Sequence, residues 1–119
     1  MGNPVVHFEI GTSNAADGQS FYSELFDWKI NADNPADYGI VDTGAGSGIG
    51  GGILQTRDDM PQYVTFYVAV DDVQAYLDKA EGLGAKTVVP VTEIPDMVTF
   101  ALFTDPQGNL VGIVKDQPQ

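Results

Sequence analysis

A chain of 119 residues is one small domain by length, and such a chain buries roughly 65% of the surface that its unfolded form exposes. Its 43% apolar and 18% charged residues mark a globular fold rather than disorder. Seventeen Asp and Glu against five Lys and Arg leave a net charge of −12, which excludes a phosphate backbone or an anionic lipid surface as partner. Zero cysteines exclude disulfides, a thiolate nucleophile and cysteine-ligated zinc, and a single histidine excludes a multi-histidine metal site within one chain.

From the start of the chain, Val5, His7 and Glu9 alternate with Val6, Phe8 and Ile10, as the two faces of a strand do. The face of Val6, Phe8 and Ile10 is uniformly apolar and is expected to pack on a helix. The opposite face carries the only histidine and a carboxylate. A helix follows, capped by Ser13 or Asn14, with Phe21, Tyr22, Leu25 and Phe26 as its apolar stripe and Gly18 weakening its middle. Asp27 to Ile30 reads as a short strand, Asn31 to Asp37 as a loop, and Tyr38 to Asp42 as a strand. Thr43 to Gly48 is a glycine-rich turn, and Ile49 to Leu54 continues as a strand through Gly50, Gly51 and Gly52.

Gln55 to Gln62, with Arg57, Asp58, Asp59 and Pro61, is the best linker candidate. Tyr63 to Val70 alternates as a strand. Asp71 and Asp72 offer a cap, and Val73, Tyr76, Leu77 and Ala80 follow at i, i+3, i+4 and i+7 in the cleanest helical stripe of the chain. Gly82 and Gly84 end that helix. Lys86 to Val89, Val98 to Phe103 and Leu110 to Lys115 are strands, the last two joined by a turn at Asp105 to Asn109.

The order is strand, helix, three strands, and then the same again. His7-Phe8-Glu9-Ile10 aligns with Thr65-Phe66-Tyr67-Val68 at an offset of 58 residues. Gly48 to Leu54 aligns with Gly108 to Val114 at an offset of 60. Two modules, about 1–55 and 62–116, are expected to pack into one domain.

The glycines from Gly44 to Gly52 are no phosphate cradle, because no Gly-Lys-Ser/Thr follows and the stretch runs into a strand. They suit a hairpin and close approach of backbone or ligand. Ser13, Ser20, Ser23 and Ser47 lack the context of a nucleophile elbow.

The paired βαβββ pattern, the first strand VVHFEI, the segment FYSELFDWKI, the GIGGGIL strand and the DPQGNLVGIV ending together resemble the vicinal oxygen chelate superfamily. That superfamily includes glyoxalase I, extradiol dioxygenases and bleomycin-resistance proteins. The resemblance covers nearly the whole chain. It implies an α+β fold in which eight strands form a cup-shaped incomplete barrel, with the helices outside and the chain paired as a homodimer. Metal-dependent members carry one ligand on the first and last strand of each module. The matching positions are His7, Gly52, Thr65 and Gly112, of which only His7 is a conventional ligand. No cofactor is expected from this set.

Glu9 shares the strand face of His7, about 7 Å along the strand. The pair reads as a general acid and base, as an improvised metal site completed by water, or as a satisfied polar pair at the floor of an inactive pocket. Thr65 and Tyr67 match the same face in the second module and read as hydrogen-bonding ligand contacts or as polar cover of a half-solvated sheet. Trp28 and Tyr38 could add aromatic walls, with core packing the stronger reading for Trp28, and at least one of Phe100 and Phe103 is core.

The functional expectation is a protein that binds a small molecule through His7, Glu9, Thr65 and Tyr67 without a conventional metal centre. The alternatives are a metal-dependent glyoxalase-like lyase or isomerase using His7, and a folded surface serving regulation or assembly. No apolar run is long enough to span a bilayer and no basic, apolar leader opens the sequence, so the expected location is cytoplasmic.

Overall fold

The computed structural model describes residues 2–57 and 59–116, and Asp58 of the linker candidate lies outside the described residues. The elements follow the doubled pattern. β1 is Val5–Thr12, α1 Ala15–Phe26, β2 Lys29–Asn31, β3 Gly39–Asp42 and β4 Gly50–Gln55. β5 is Tyr63–Val70, α2 Val73–Gly82, β6 Lys86–Ile94, β7 Val98–Thr104 and β8 Leu110–Lys115. Two compact units are formed. One is His7–Val64; the other joins the start of the chain through Val6 with Thr65 onward.

In the first unit the strands follow the order β2-β3-β4-β1, with β4 parallel to β1 and its other pairs antiparallel. Asn14 caps α1, its side-chain oxygen accepting from the Asp17 N–H at 3.1 Å, and Asp27 ends the helix in the left-handed region at φ 60°. The aromatic stripe of α1 does not go into a core. Phe21, Leu25 and Phe26 are more than half exposed, and no residue of the helix is buried. Trp28, just past the helix, is half-buried; it stacks on Tyr22 and packs against Phe8 and Phe26 outside the buried core. The buried aliphatic side chains of this unit, among the described residues, are Val41 and Ile53.

In the second unit the order is β5-β8-β7-β6, again with the first and last strands of the module parallel. Asp72 caps α2 by accepting from the Ala75 N–H at 3.0 Å. Val73 and Leu77 enter a core with Val70, Ala101 and Ile113, with Phe103 packed against it. β6 runs five residues past the expected end at Val89. Pro90 has no N–H to give a ladder, yet β6 is an edge strand, and its register on β7 shifts between Thr87 and Val89 and again between Val89 and Thr92. A bulged edge is where a strand tolerates proline.

The strand registers carry the internal repeat. Glu9 faces Gly52 across β1 and β4, and Tyr67 faces Gly112 across β5 and β8. These two pairs are separated by the same 58 and 60 residues that align the module sequences. Gln55 to Gln62 is more than a linker, because both its ends are tied down. The Gln55 side chain accepts from the Ala15 N–H, and Gln62 Oε1 accepts from the Thr12 hydroxyl and from the Ser13 N–H and hydroxyl.

Candidate functional site

The first unit gathers a hydrogen-bonded chain of four polar side chains on the His7 face of β1. Alternation of β1 puts His7 and Glu9 on that face, and it is Glu9, at 5% exposure, that is buried, whereas Phe8 and Ile10 on the expected core face are only half-buried. The reason is local cover. Glu9 faces a glycine, and tyrosine rings from two other segments fill the room beside it.

Tyr38 comes from the loop before β3. Asn34 holds it by both backbone groups, its Oδ1 accepting from the Tyr38 N–H at 3.0 Å and its Nδ2 donating to the Tyr38 carbonyl at 2.7 Å. Asp37 turns the chain at φ 52° just before it. The ring then lies over Gly52 so closely that a methyl group at position 52 would collide with its hydroxyl end. Tyr63, at the head of β5, lies over Gly11 in the same way.

The two phenols satisfy the buried carboxylate. The Tyr38 hydroxyl donates to Glu9 Oε1 at 2.8 Å, and the Tyr63 hydroxyl donates to Glu9 Oε2 at 2.7 Å. Hydrogen bonds to an ionised acceptor are worth about 1.5–3 kcal/mol each, which is what allows a carboxylate to lie buried here. His7 Nε2 stands 2.8 Å from the Tyr38 oxygen, with its ring stacked beside the phenol at 6.2 Å between centroids. The single proton of the Tyr38 hydroxyl is directed at Glu9. Its oxygen therefore accepts from His7, which carries its proton on Nε2.

The environment shifts two of these groups. Burial lowers the His7 pKa below 6.5, against the opposing pull of the Glu9 charge. Burial first, then the Glu9 charge and the hydrogen bond to it, push the Tyr63 phenol well above its ordinary 10.0.

Thr65 and Tyr67 belong to the second unit. The Thr65 hydroxyl is buried and donates to the Leu110 carbonyl at 2.6 Å, a bond within the sheet. Tyr67 is buried, its ring covering Gly112 and meeting the edge of Phe100. At the four positions where the superfamily carries metal ligands there are thus one imidazole, one hydroxyl bound to backbone, and two glycines covered by tyrosine rings. This set does not fit zinc or a comparable transition-metal ion, whose sites take three or four side-chain donors. Among the described residues no three His, Asp or Glu side chains converge.

Tyr63 escapes a reading of the sequence that begins the ligand face of β5 at Thr65. The signal was present, since Tyr63, Thr65 and Tyr67 alternate on one face. Tyr38, read only as an aromatic wall, has no local pattern that tells of Glu9.

A family model for the Glyoxalase/Bleomycin resistance protein/Dioxygenase superfamily matches residues 5–113, and the chain belongs to this superfamily. The curated protein "Putative glyoxylase CFP32" of Mycobacterium bovis is 30% identical over 112 residues, 88% of this chain, as is its counterpart in Mycobacterium tuberculosis. The match spans 42% of those relatives' length. Among solved structures, a hypothetical protein from Bacillus halodurans C-125 superposes with a TM-score of 0.72 at 13% identity, covering 100% of this chain and 98% of that one. Methylmalonyl-CoA epimerase from Mycobacterium tuberculosis superposes with a TM-score of 0.67 at 14% identity, over 96% and 88% of the two chains. A variant of the Streptomyces coelicolor methylmalonyl-CoA epimerase gives 0.68 at 16%, over 98% and 99%. At these identities the structural likeness shows the fold, the α+β arrangement of two βαβββ modules.

Proposed function

We propose that this protein binds a small molecule and does so without a divalent metal at the superfamily's four positions. The observation that carries this reading is the Tyr38 ring lying over Gly52. A side chain at position 52 would be the partner of His7 in a metal site; here that room holds a phenol hydrogen-bonded to His7 and Glu9. Glu9 is engaged by two hydroxyls, so the pair His7 and Glu9 acts through Tyr38 rather than as two independent ligands. The half-buried imidazole and the phenols then serve as polar anchors beside aromatic surface, the composition that small-molecule sites use.

The test is metal content and retention. Chain purified without chelator and titrated with zinc, nickel, manganese and iron(II) is expected to hold no stoichiometric ion, and a fragment screen by ligand-observed NMR is expected to give binders that weaken in His7→Ala. Tight binding of one divalent ion per chain, abolished in His7→Ala, would replace this reading with the metal-dependent lyase or isomerase.

A further inference from the structure

The outer face of α1 is apolar where a helix at the surface of a globular fold is usually polar. Residues 15, 18, 19, 22 and 23 are half-buried, whereas 16, 17, 20, 21, 24 and 25 are exposed, so one side of the helix faces solvent along its whole length. On or beside that side, Phe21, Leu25 and Phe26 are each more than half exposed. An aromatic side chain offers about 150–250 Å², so these three leave on the order of 300 Å² of apolar surface. One partner of a standard homodimer interface buries about 800 Å², of which about 65% is apolar. The three side chains supply more than half of that apolar area, and the half-buried Tyr22 and Trp28 adjoin them.

The face is also complementary to itself. Its N-terminal half is small, with Ala16 and Ser20, and its C-terminal half is large, with Phe21, Leu25 and Phe26. Turned end for end, a second α1 sets its large half on the small half of the first. Leu25 then lies over Ala16 of the second copy and Phe21 over its Ser20, and the small residues let the two axes approach to the usual distance of about 8–10 Å.

We propose that α1 is an interface on which two copies of this chain pair antiparallel about a two-fold axis, with Phe21 and Leu25 at its centre. Charge sets the strength of the pair. The arrangement brings Asp17 of each copy beside Glu24 of the other, and α1 has no basic residue to offset them. Like charges at the rim and a net charge of −12 on each copy oppose association. The dimer is therefore reversible, with a dissociation constant on the order of tens of micromolar. In dilute solution the chain is a monomer and the α1 face stays in solvent.

Sedimentation equilibrium of the full-length chain from about 5 µM to about 500 µM spans the expected transition. The average mass is expected to rise from one chain to two and no further, since a two-fold pair is closed. Leu25→Asp and Phe21→Ser should each weaken pairing by upwards of about 10-fold, as central interface residues do. Leu83→Asp, at an equally exposed apolar position of the second unit, should leave it unchanged. Glu24→Lys should tighten the dimer more than Glu93→Lys, which makes the same change of charge on β6. A chain monomeric at every concentration overturns the proposal. So does association that grows past two chains, that survives both α1 variants, or that Leu83→Asp weakens as much, since another apolar surface would then hold it. Equal tightening by the two lysine variants overturns the antiparallel arrangement. Dilution of isotope-labelled wild-type chain followed by NMR decides the matter even if a variant misfolds: amide shifts are expected along residues 16–28, and shifts confined to other segments overturn the interface.

Discussion

Glu9 and its two phenols show how a charge is tolerated in a small domain. A carboxylate at 5% exposure would be costly alone, and here it accepts a hydrogen bond on each oxygen. His7 is bound into the same chain through Tyr38, and its burial has a consequence for pH. The folded imidazole has a pKa below 6.5, so between that lowered value and 6.5 the unfolded chain binds more protons than the folded one. Stability is therefore full above 6.5 and falls as the pH drops through that window. Urea unfolding at about pH 7.5 and about pH 5.5 is expected to show a larger acid-side loss for wild type than for His7→Gln, which cannot titrate there. Equal losses in the two proteins would mean that other groups govern the acid limb. That His7 and Glu9 share a face was legible from strand alternation. That Glu9 is the buried member was not, because its partners stand 29 and 54 residues away in sequence.

The two helices look alike as sequence and differ as elements. Both carry an acceptor cap and an apolar stripe, Asn14 with Phe21, Tyr22, Leu25 and Phe26, and Asp72 with Val73, Tyr76, Leu77 and Ala80. Capping and periodicity are local properties, so both helices were legible. Burial of the stripe depends on what lies opposite. Leu77 is 3% exposed in a core with Val70, Ala101 and Ile113, whereas Leu25 is 57% exposed. Leu77→Ala is expected to cost about 3 kcal/mol. Leu25→Ala is expected to stay within about 0.5 kcal/mol, as for an exposed site away from a packed core. Chemical denaturation of the two variants measures both. A cost for Leu25→Ala matching that of Leu77→Ala would show that the α1 stripe is covered in solution. β6 teaches the same lesson at an edge: the strand expected to end at Val89 continues, with shifts of register on an edge, through Pro90 to Ile94.

For the whole molecule, the charge balance has a consequence of its own. A net charge of −12 on 119 residues repels itself in the compact state. Raising sodium chloride from about 0.01 M to about 0.15 M shortens the screening length from about 30 Å to about 8 Å. The thermal midpoint at neutral pH is expected to rise over that range, and a flat or falling midpoint in calorimetry would show that local pairing outweighs the repulsion. No helix among the described residues is long and apolar enough to cross a membrane. The family match spans residues 5–113, nearly the whole doubled order of elements.

The sequence by itself determined the doubled βαβββ order, the cap of each helix to within two residues, the 58- and 60-residue repeat, and a strand face bearing His7 and Glu9. All of these are set by neighbours a few residues apart or by regular alternation. Only the tertiary structure decided that Tyr38 lies over Gly52, that Tyr63 reaches Glu9, and that α1 keeps its aromatic face outside a core. Those outcomes depend on which distant segment fills the space left by a glycine, and no local pattern carries that information.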